Sequence, residues 1–241
     1  MPAFAPAAIR VVACDIFGTT VDWRSGVTAQ VADVARALGA DLDAGAFADA
    51  WRDRYLPAMQ RVNRGERDWA YLDTLHRESL NDLLAEYGLA GTFDEAARER
   101  LVRAWHRLPA WNDTVEGLTR LRDRYIVTTL SNGGFALLTS LVKAAGLPFD
   151  CILSAELARA YKPAPGPYLT TAALLDVDPA EILMVAAHKW DLDGARNAGL
   201  RTAFLIRPLE RGPHRAPDQP SDVTSDLTVT SFPDLADTLN C

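Results

Sequence analysis

Six short apolar runs constrain the fold of this chain more than any other feature. They fall at residues 9–13, 125–130, 151–154, 182–186, 202–206 and, more weakly, 227–230. Their apolar character is continuous rather than alternating, as in strands covered on both faces of a parallel sheet. Helix-period stretches separate the later runs, at 114–124, 135–145, 167–175 and 192–198, the last followed by Gly199 as a stop. Strand and helix in alternation predict an α/β fold with a doubly wound, Rossmann-like parallel sheet.

The interval between the first two runs breaks this alternation. Residues 21–108 hold no convincing strand but several amphipathic helical stretches, at 28–38, 44–62, 68–87 and 94–107. A crossover between neighbouring parallel strands needs only about 30 residues. The interval is therefore expected to be an inserted helical cap domain, with residues 1–20 and 109–241 forming the α/β core. A proline-rich stretch at 208–220 reads as a loop.

Composition narrows the class of partner. With 32 Asp and Glu against 25 Lys and Arg, the formal net charge is -7. Nucleic acid and anionic membrane both call for a cationic surface, so neither is expected. No window reaches the ~18 apolar residues of a membrane span. The apolar start lacks a basic segment, and the run at 9–16 leads into the candidate site, so a cleaved signal is not expected. Cys14, Cys151 and Cys241 are too few and too scattered for a disulfide framework or a zinc site, which favours a reducing cytoplasm.

Ligands of open parallel sheets bind beyond the carboxyl ends of the strands. The first run is followed by Asp15-Ile16-Phe17-Gly18-Thr19-Thr20 and the second by Ser131-Asn132-Gly133-Gly134. Lys162-Pro163 follows the third at a short distance, and His188-Lys189-Trp190-Asp191 the fourth. Singly, each reads as a turn, a helix cap or a solvated lysine. Together they bring two carboxylates, an ammonium, hydroxyls and an amide to one crevice, which points to catalysis. Lys162 near Asp15 would keep that carboxylate ionised as a nucleophile. Its attack would give a covalent intermediate for water to cleave, and Asp191 is placed to orient or deprotonate that water. Cys14 should point away into the core by strand alternation. Trp23, Trp69, Trp105 and Trp111 read as core or domain-junction aromatics.

These residues resemble the haloacid dehalogenase superfamily. Asp15 and Thr19 match its Asp-x-x-x-Thr first motif, Ser131 the second, Lys162 the third, and Asp191 with Gly194-Ala195 the fourth. Most of that superfamily are magnesium-dependent phosphatases, which carry a second Asp two residues after the nucleophile and another carboxylate in the fourth motif. Those positions here are Phe17 and Ala187, which depletes the oxygen ligands that Mg²⁺ requires. Asp193 could substitute, but its place near a helix start reads as dipole compensation.

The aromatic Phe17 instead resembles the L-2-haloacid dehalogenase subfamily, which displaces halide from C2 of short acids without metal or cofactor. Trp51-Arg52 is similar to its halide-contacting segment, and Ser131-Asn132-Gly133 to its substrate-carboxylate segment. The Lys162-to-Tyr168 spacing and the Trp190-Asp191 pair also match. The resemblance implies attack by Asp15 on C2 with inversion, and ester hydrolysis by water associated with Asp191, Lys162 stabilising both anionic states. Arg52, Asn132 and cap aromatics would take the halide; Ser131, Lys162 and backbone N–H groups would take the substrate carboxylate. The implied partners are a small haloacid and its halide product, and the subfamily is often dimeric. Many members have Ser-Ser-Asn where this chain has Ala186-Ala187-His188, and His188 could restore one of the lost hydrogen bonds. Some relatives with Ala-Ala-His are expected to act on fluorinated acids. Two rival readings are a magnesium phosphatase built on Asp15, Asp191 and Asp193, and a noncatalytic acid-binding protein.

Overall fold

The computed structural model describes residues 4–241. Strand β1 (Val11–Cys14) is followed by helices α1 (Trp23–Leu38), α2 (Ala44–Asp53), α3 (Tyr55–Asn63), α4 (Leu72–Glu86) and α5 (Glu95–Ala104). Then come α6 (Thr114–Arg122), β2 (Ile126–Ser131), α7 (Phe135–Ala145), β3 (Cys151–Ser154) and α8 (Pro165–Leu174). The chain ends with β4 (Ile182–Ala186), α9 (Lys189–Asn197), β5 (Arg201–Leu205), β6 (Leu227–Val229) and α10 (Phe232–Thr238). All six strands pair in parallel in the order β3-β2-β1-β4-β5-β6. The order reverses at β1, so a crevice opens beyond the ends of β1 and β4.

The continuous apolar runs are explained by burial on both faces, since every residue of β1 and β4 is buried. Alternate side chains of β1 enter different cores. Val11 and Ala13 meet Tyr168 and Ala172 of α8 and Leu192 and Ala195 of α9. Val12 and Cys14 enter the larger core, which includes residues of α6, α7, α10 and the five helices that follow β1. Cys14 thus points away from the strand-end crevice, and burial pushes its thiol far up.

Helix boundaries differ from the periodicity where local chemistry intervenes. The stretch expected as one helix at 44–62 is two, because Pro57 has no N–H and its ring crowds the carbonyl of residue 53. The break at Arg54 leaves Arg52 in the last turn of α2. Helix α1 starts at Trp23, well before residue 28, because the Asp22 carboxylate accepts from the Ser25 N–H at 3.0 Å. Helix α4 begins at Leu72, later than residue 68, and α9 begins at Lys189, earlier than residue 192. That shift places Asp191 in the first turn of α9.

The chain leaves and rejoins the sheet side by side. Asp22 N–H donates to the Pro109 carbonyl at 2.8 Å, and Trp111 N–H to that of Thr20 at 3.2 Å. The expected boundaries of the helical insertion, 21 and 108, adjoin this pair of passages. No helix among the described residues is long and apolar enough to cross a membrane.

The packing of α6 on α10 leaves no room at Gly117, where an added Cβ would lie 2.3 Å from Phe232 Cβ and 2.4 Å from its carbonyl carbon. Gly117→Ala is expected to lower stability by ~1–3 kcal/mol despite alanine's better helix propensity. Gly91→Ala, with nothing within 4 Å of the new methyl, should stay within about 0.5 kcal/mol. Urea denaturation midpoints of the two variants check the contrast.

Candidate active site

Asp15 is fixed at the switch point by the sheet itself, its N–H donating to the Val185 carbonyl of β4 at 2.9 Å. The turn beyond it is tight: Gly18 adopts φ +92, and Thr20 Oγ1 donates to the Asp15 carbonyl at 2.5 Å. Asp15 is only 5% exposed, yet both carboxylate oxygens have partners. Oδ1 accepts from Lys162 Nζ at 3.1 Å. Oδ2 accepts from Thr19 Oγ1 at 2.8 Å and lies 3.1 Å from His188 Nδ1. Burial favours the neutral acid, but Lys162, His188 and Thr19 outweigh it and hold the carboxyl well below its usual range. Thr19 also accepts from the Ala187 N–H at 2.9 Å, tying the nucleophile turn to the end of β4.

Lys162 is almost wholly buried and all three of its ammonium donors are used. It reaches Asp15, the Leu130 carbonyl at 2.7 Å and Asp191 Oδ2 at 2.5 Å. Burial would release its proton; the two carboxylates prevent this and raise its affinity for it. Asn132 grips the lysine's backbone from both ends, accepting from the Lys162 N–H at 2.7 Å and donating to its carbonyl at 3.3 Å. One of its two amide N–H donors is thus used in setting the lysine, which leaves the other for the halide contact expected of it. Ser131 Oγ accepts from the Gly133 N–H at 3.2 Å, which leaves its own proton available.

Asp191 is fully buried, and burial raises its carboxyl against the pull of Lys162. Its Oδ1 accepts from Tyr168 Oη at 2.7 Å. Tyr168, matched from sequence by its spacing from Lys162, therefore stands behind Asp191. Gly194 makes this approach of α8 and α9 feasible, since a Cβ there would lie 2.7 Å from Tyr168 Oη. Trp190 stacks on His188 with ring centroids 5.7 Å apart and lines the cavity. Asp193 pairs on the partly exposed side of α9 with Lys189 and Arg196. It is thus engaged away from Asp15, and the rival magnesium site lacks its substitute carboxylate.

The side facing the helical insertion is aromatic. Phe17, 1% exposed, packs edge-on against Trp105 and Tyr55 at centroid distances of 5.6 and 6.4 Å. Arg52 Cζ lies 4.0 Å from the Tyr55 ring centroid, 5.2 Å from that of Trp23 and 6.0 Å from those of Phe17 and Trp105. Such stacking stabilises a cation without using its N–H groups. Its Nη1 is buried and has no hydrogen-bond partner among the described residues. Arg52, Trp23, Tyr55, His188, Trp190 and Glu210 line a cavity of about 130 Å³. A cationic donor left open in a small aromatic cavity suits a compact anion.

Glu210 was not singled out from the sequence. Only 4% exposed, it accepts from Trp23 Nε1 at 2.7 Å and lies 3.2 Å from His188 Nε2. It sits in the proline-rich stretch set aside as a loop. The signal was nonetheless present, because this stretch follows β5 and the strand-end rule applies to a fifth strand as well as to four. Beside it, Arg207 donates to the Thr19 carbonyl at 2.9 Å and to Asp113 at 2.8 Å.

His188 stands between Asp15 and Glu210. Burial disfavours its charged form, but the two carboxylates prevail and push its value up to about 9. Glu210 is brought down to about 2, because the hydrogen bond and charge of His188, then the Arg52 charge and the Trp23 hydrogen bond, together outweigh burial. The stabilisation from His188 is complete below its unfolded value of 6.5 and is lost as pH rises through about 9. That from Glu210 is present above 4.5 and is lost as pH falls towards about 2. The urea midpoint should therefore decline between pH 6.5 and 9 in the unmodified protein. A flatter profile is expected for His188→Gln, and equal slopes would dissociate this decline from His188.

A family model described as haloacid dehalogenase-like hydrolase matches residues 9–199. The (S)-2-haloacid dehalogenase 4A of Burkholderia cepacia is 31% identical over 206 residues, covering 83% of this chain and 84% of that protein. Among solved structures, a defluorinating L-2-haloacid dehalogenase superposes with a TM-score of 0.92 at 42% identity, covering 100% of both chains. The L-2-haloacid dehalogenase of Xanthobacter autotrophicus with chloropropionic acid covalently bound gives 0.81 at 26% identity, covering 96% of this chain and 98% of that one. The strand order, the crevice beyond β1 and β4 and these matches lead to one conclusion: the chain belongs to the haloacid dehalogenase-like hydrolase family.

Proposed function

We propose that this protein is a hydrolytic dehalogenase that removes halide from short L-2-haloalkanoic acids through a covalent ester on Asp15, without a metal. The observation that carries this reading is the combination of an ionised, buried Asp15 with Arg52, whose open Nη1 stands in an aromatic cavity. Phe17, packed against Tyr55 and Trp105, stands where a phosphatase would place an acid. Relatives support the same chemistry: one similar structure is described as a defluorinating L-2-haloacid dehalogenase and another as holding chloropropionic acid covalently.

Asp15 attacks C2 with inversion. A carbon–oxygen bond forms as the carbon–halogen bond breaks, and the bonding pair leaves with the halide. Arg52 and the surrounding ring edges receive that developing charge in a site with little competing water. The substrate carboxylate falls to the Ser131 hydroxyl and backbone N–H groups beyond Asp15, because the Lys162 donors are already engaged. Lys162 holds Asp15 ionised before attack, Thr19 and Asn132 position that pair, and Asp191 with Tyr168 anchors the lysine. Water then cleaves the aspartyl ester to give a 2-hydroxy acid and restore Asp15. Cys14, Cys151 and Cys241 are all free thiols, as suits a reducing cytoplasm.

Incubation with chloroacetate, 2-chloropropionate and fluoroacetate in EDTA, with halide and hydroxy acid measured, tests the reading. Release from at least one acid is expected, and none from any would sink it. Asp15→Asn should lower release by at least about a thousandfold. Arg52→Ala should lower kcat by roughly a hundredfold, as for loss of one donor to a developing anion.

A further inference from the structure

We infer that His188, oriented by Glu210, is the general base that activates water against the Asp15 ester. This assignment rests on the dehalogenase reading above and gives its second half-reaction a base other than Asp191.

The geometry is that of a nucleophile, a base and an orienting carboxylate in line. Asp15 Oδ2 lies 3.1 Å from His188 Nδ1, and His188 Nε2 lies 3.2 Å from Glu210 Oε1. A base within hydrogen-bond reach of the nucleophile and fixed by a third group is the recurring arrangement of covalent catalysis. Access separates His188 from Asp191. His188 and Glu210 line the cavity, whereas Asp191 is wholly buried and is not part of that lining. Both Asp191 oxygens already accept a proton donor, one from Lys162 and one from Tyr168.

The placement of Glu210 is built into the nucleophile turn. A Cβ at Gly18 would lie 2.6 Å from Glu210 Oε1 and 2.7 Å from its Cγ. Only the bare backbone of Gly18 lets the Glu210 side chain reach His188. The same Oε1 takes the Trp23 indole donor at 2.7 Å, which fixes it from the other side.

In the free protein His188 is an imidazolium donating to Asp15 and Glu210, consistent with its raised value of about 9. Esterification neutralises Asp15 and removes one of the two carboxylates that hold the imidazolium. The Nδ1 proton then leaves with the halide, while Nε2–H stays on Glu210. Water attacks the ester carbonyl carbon of Asp15 and gives a proton to Nδ1 as its oxygen bonds to that carbon. The tetrahedral intermediate collapses with cleavage of the ester bond. The departing 2-alkoxide takes the remaining proton of the attacking water, and the Asp15 carboxylate is regenerated beside an imidazolium. Each turnover consumes one water and releases one halide and one proton, as the overall hydrolysis requires.

Rapid mixing with 2-chloropropionate, followed by mass spectrometry of the Asp15 peptide, tests this step. His188→Asn should give a halide burst of about one per site, steady turnover lowered by roughly 10²–10³-fold, and an Asp15 peptide heavier by the 1-carboxyethyl group of the ester. Glu210→Gln, which keeps the imidazole, should show the same accumulation with a smaller loss. Unmodified protein that releases no halide would fail the dehalogenase reading itself. Normal release by the unmodified protein, with both variants slowing burst and turnover alike and accumulating no ester, would overturn the base assignment alone. Accumulation in Asp191→Asn but in neither of these variants would also overturn it, returning water activation to Asp191. His188→Gln serves the same comparison if the asparagine variant does not fold.

Discussion

An ammonium held between two buried carboxylates organises this molecule. Lys162 Nζ bridges Asp15 and Asp191, and both lysine and Asp191 are shielded from solvent. Removing such ions from water costs several kcal/mol each, a cost offset only where geometry and hydrogen bonding are nearly complete. The fold supplies that completeness: β1 delivers Asp15, the first turn of α9 delivers Asp191, the Leu130 carbonyl takes the third ammonium donor, and Asn132 clamps the lysine backbone. Loss of the lysine alone would leave two carboxylates facing each other in the dark of the core, a change of about 3–5 kcal/mol by analogy with other broken buried pairs.

The bridge is part of a longer alternation of charge. Glu210, His188, Asp15, Lys162 and Asp191 follow one another in contact across the ends of β5, β4 and β1. Each member stabilises the charged form of its neighbour, which is why Asp15 and Glu210 are held low and His188 high despite burial that favours neutral forms. The chemistry proposed for the site changes this sequence at one point, by neutralising Asp15. The effect on Lys162 is limited, because Asp191 remains. His188 loses more, and keeps Glu210 alone.

Much of the fold was legible because its signals are local. A strand covered on both faces must be apolar at every position, so 182–186 was recognisable, and the same logic gave the strand ends from which Asp15, Lys162, His188 and Asp191 were drawn. Helix breaks were less legible: periodicity runs smoothly through 44–62, and only the absent N–H of Pro57 separates α2 from α3. The partners of Asn132 and Tyr168 were hidden for another reason. Their contacts lie 30 and 23 residues away, and nothing in the spacing shows that an amide will grip a lysine backbone or that a phenol will stand behind a carboxylate. Glu210 lies in a loop with no periodicity, and its meaning depends on a glycine far off in sequence, at Gly18.

Arg52 resolves a difficulty that the overall charge creates. A protein of net charge -7 must admit an anion, and the five-member chain of charges itself carries an excess of one negative. Arg211, whose Nε lies 3.4 Å from Glu210 Oε2, balances that excess, and Arg52 adds a further positive charge at the cavity. It does so without a carboxylate partner for Nη1, since aromatic faces hold its guanidinium and leave a donor open. Screening by water is weak in such a cavity, so the electrostatic consequence of this one cation exceeds that of an exposed arginine by a wide margin. The bulk charge of the chain therefore says little about what the site accepts. Selection rests on where Pro57 ends α2, because that break sets the last turn from which Arg52 enters the aromatic cavity.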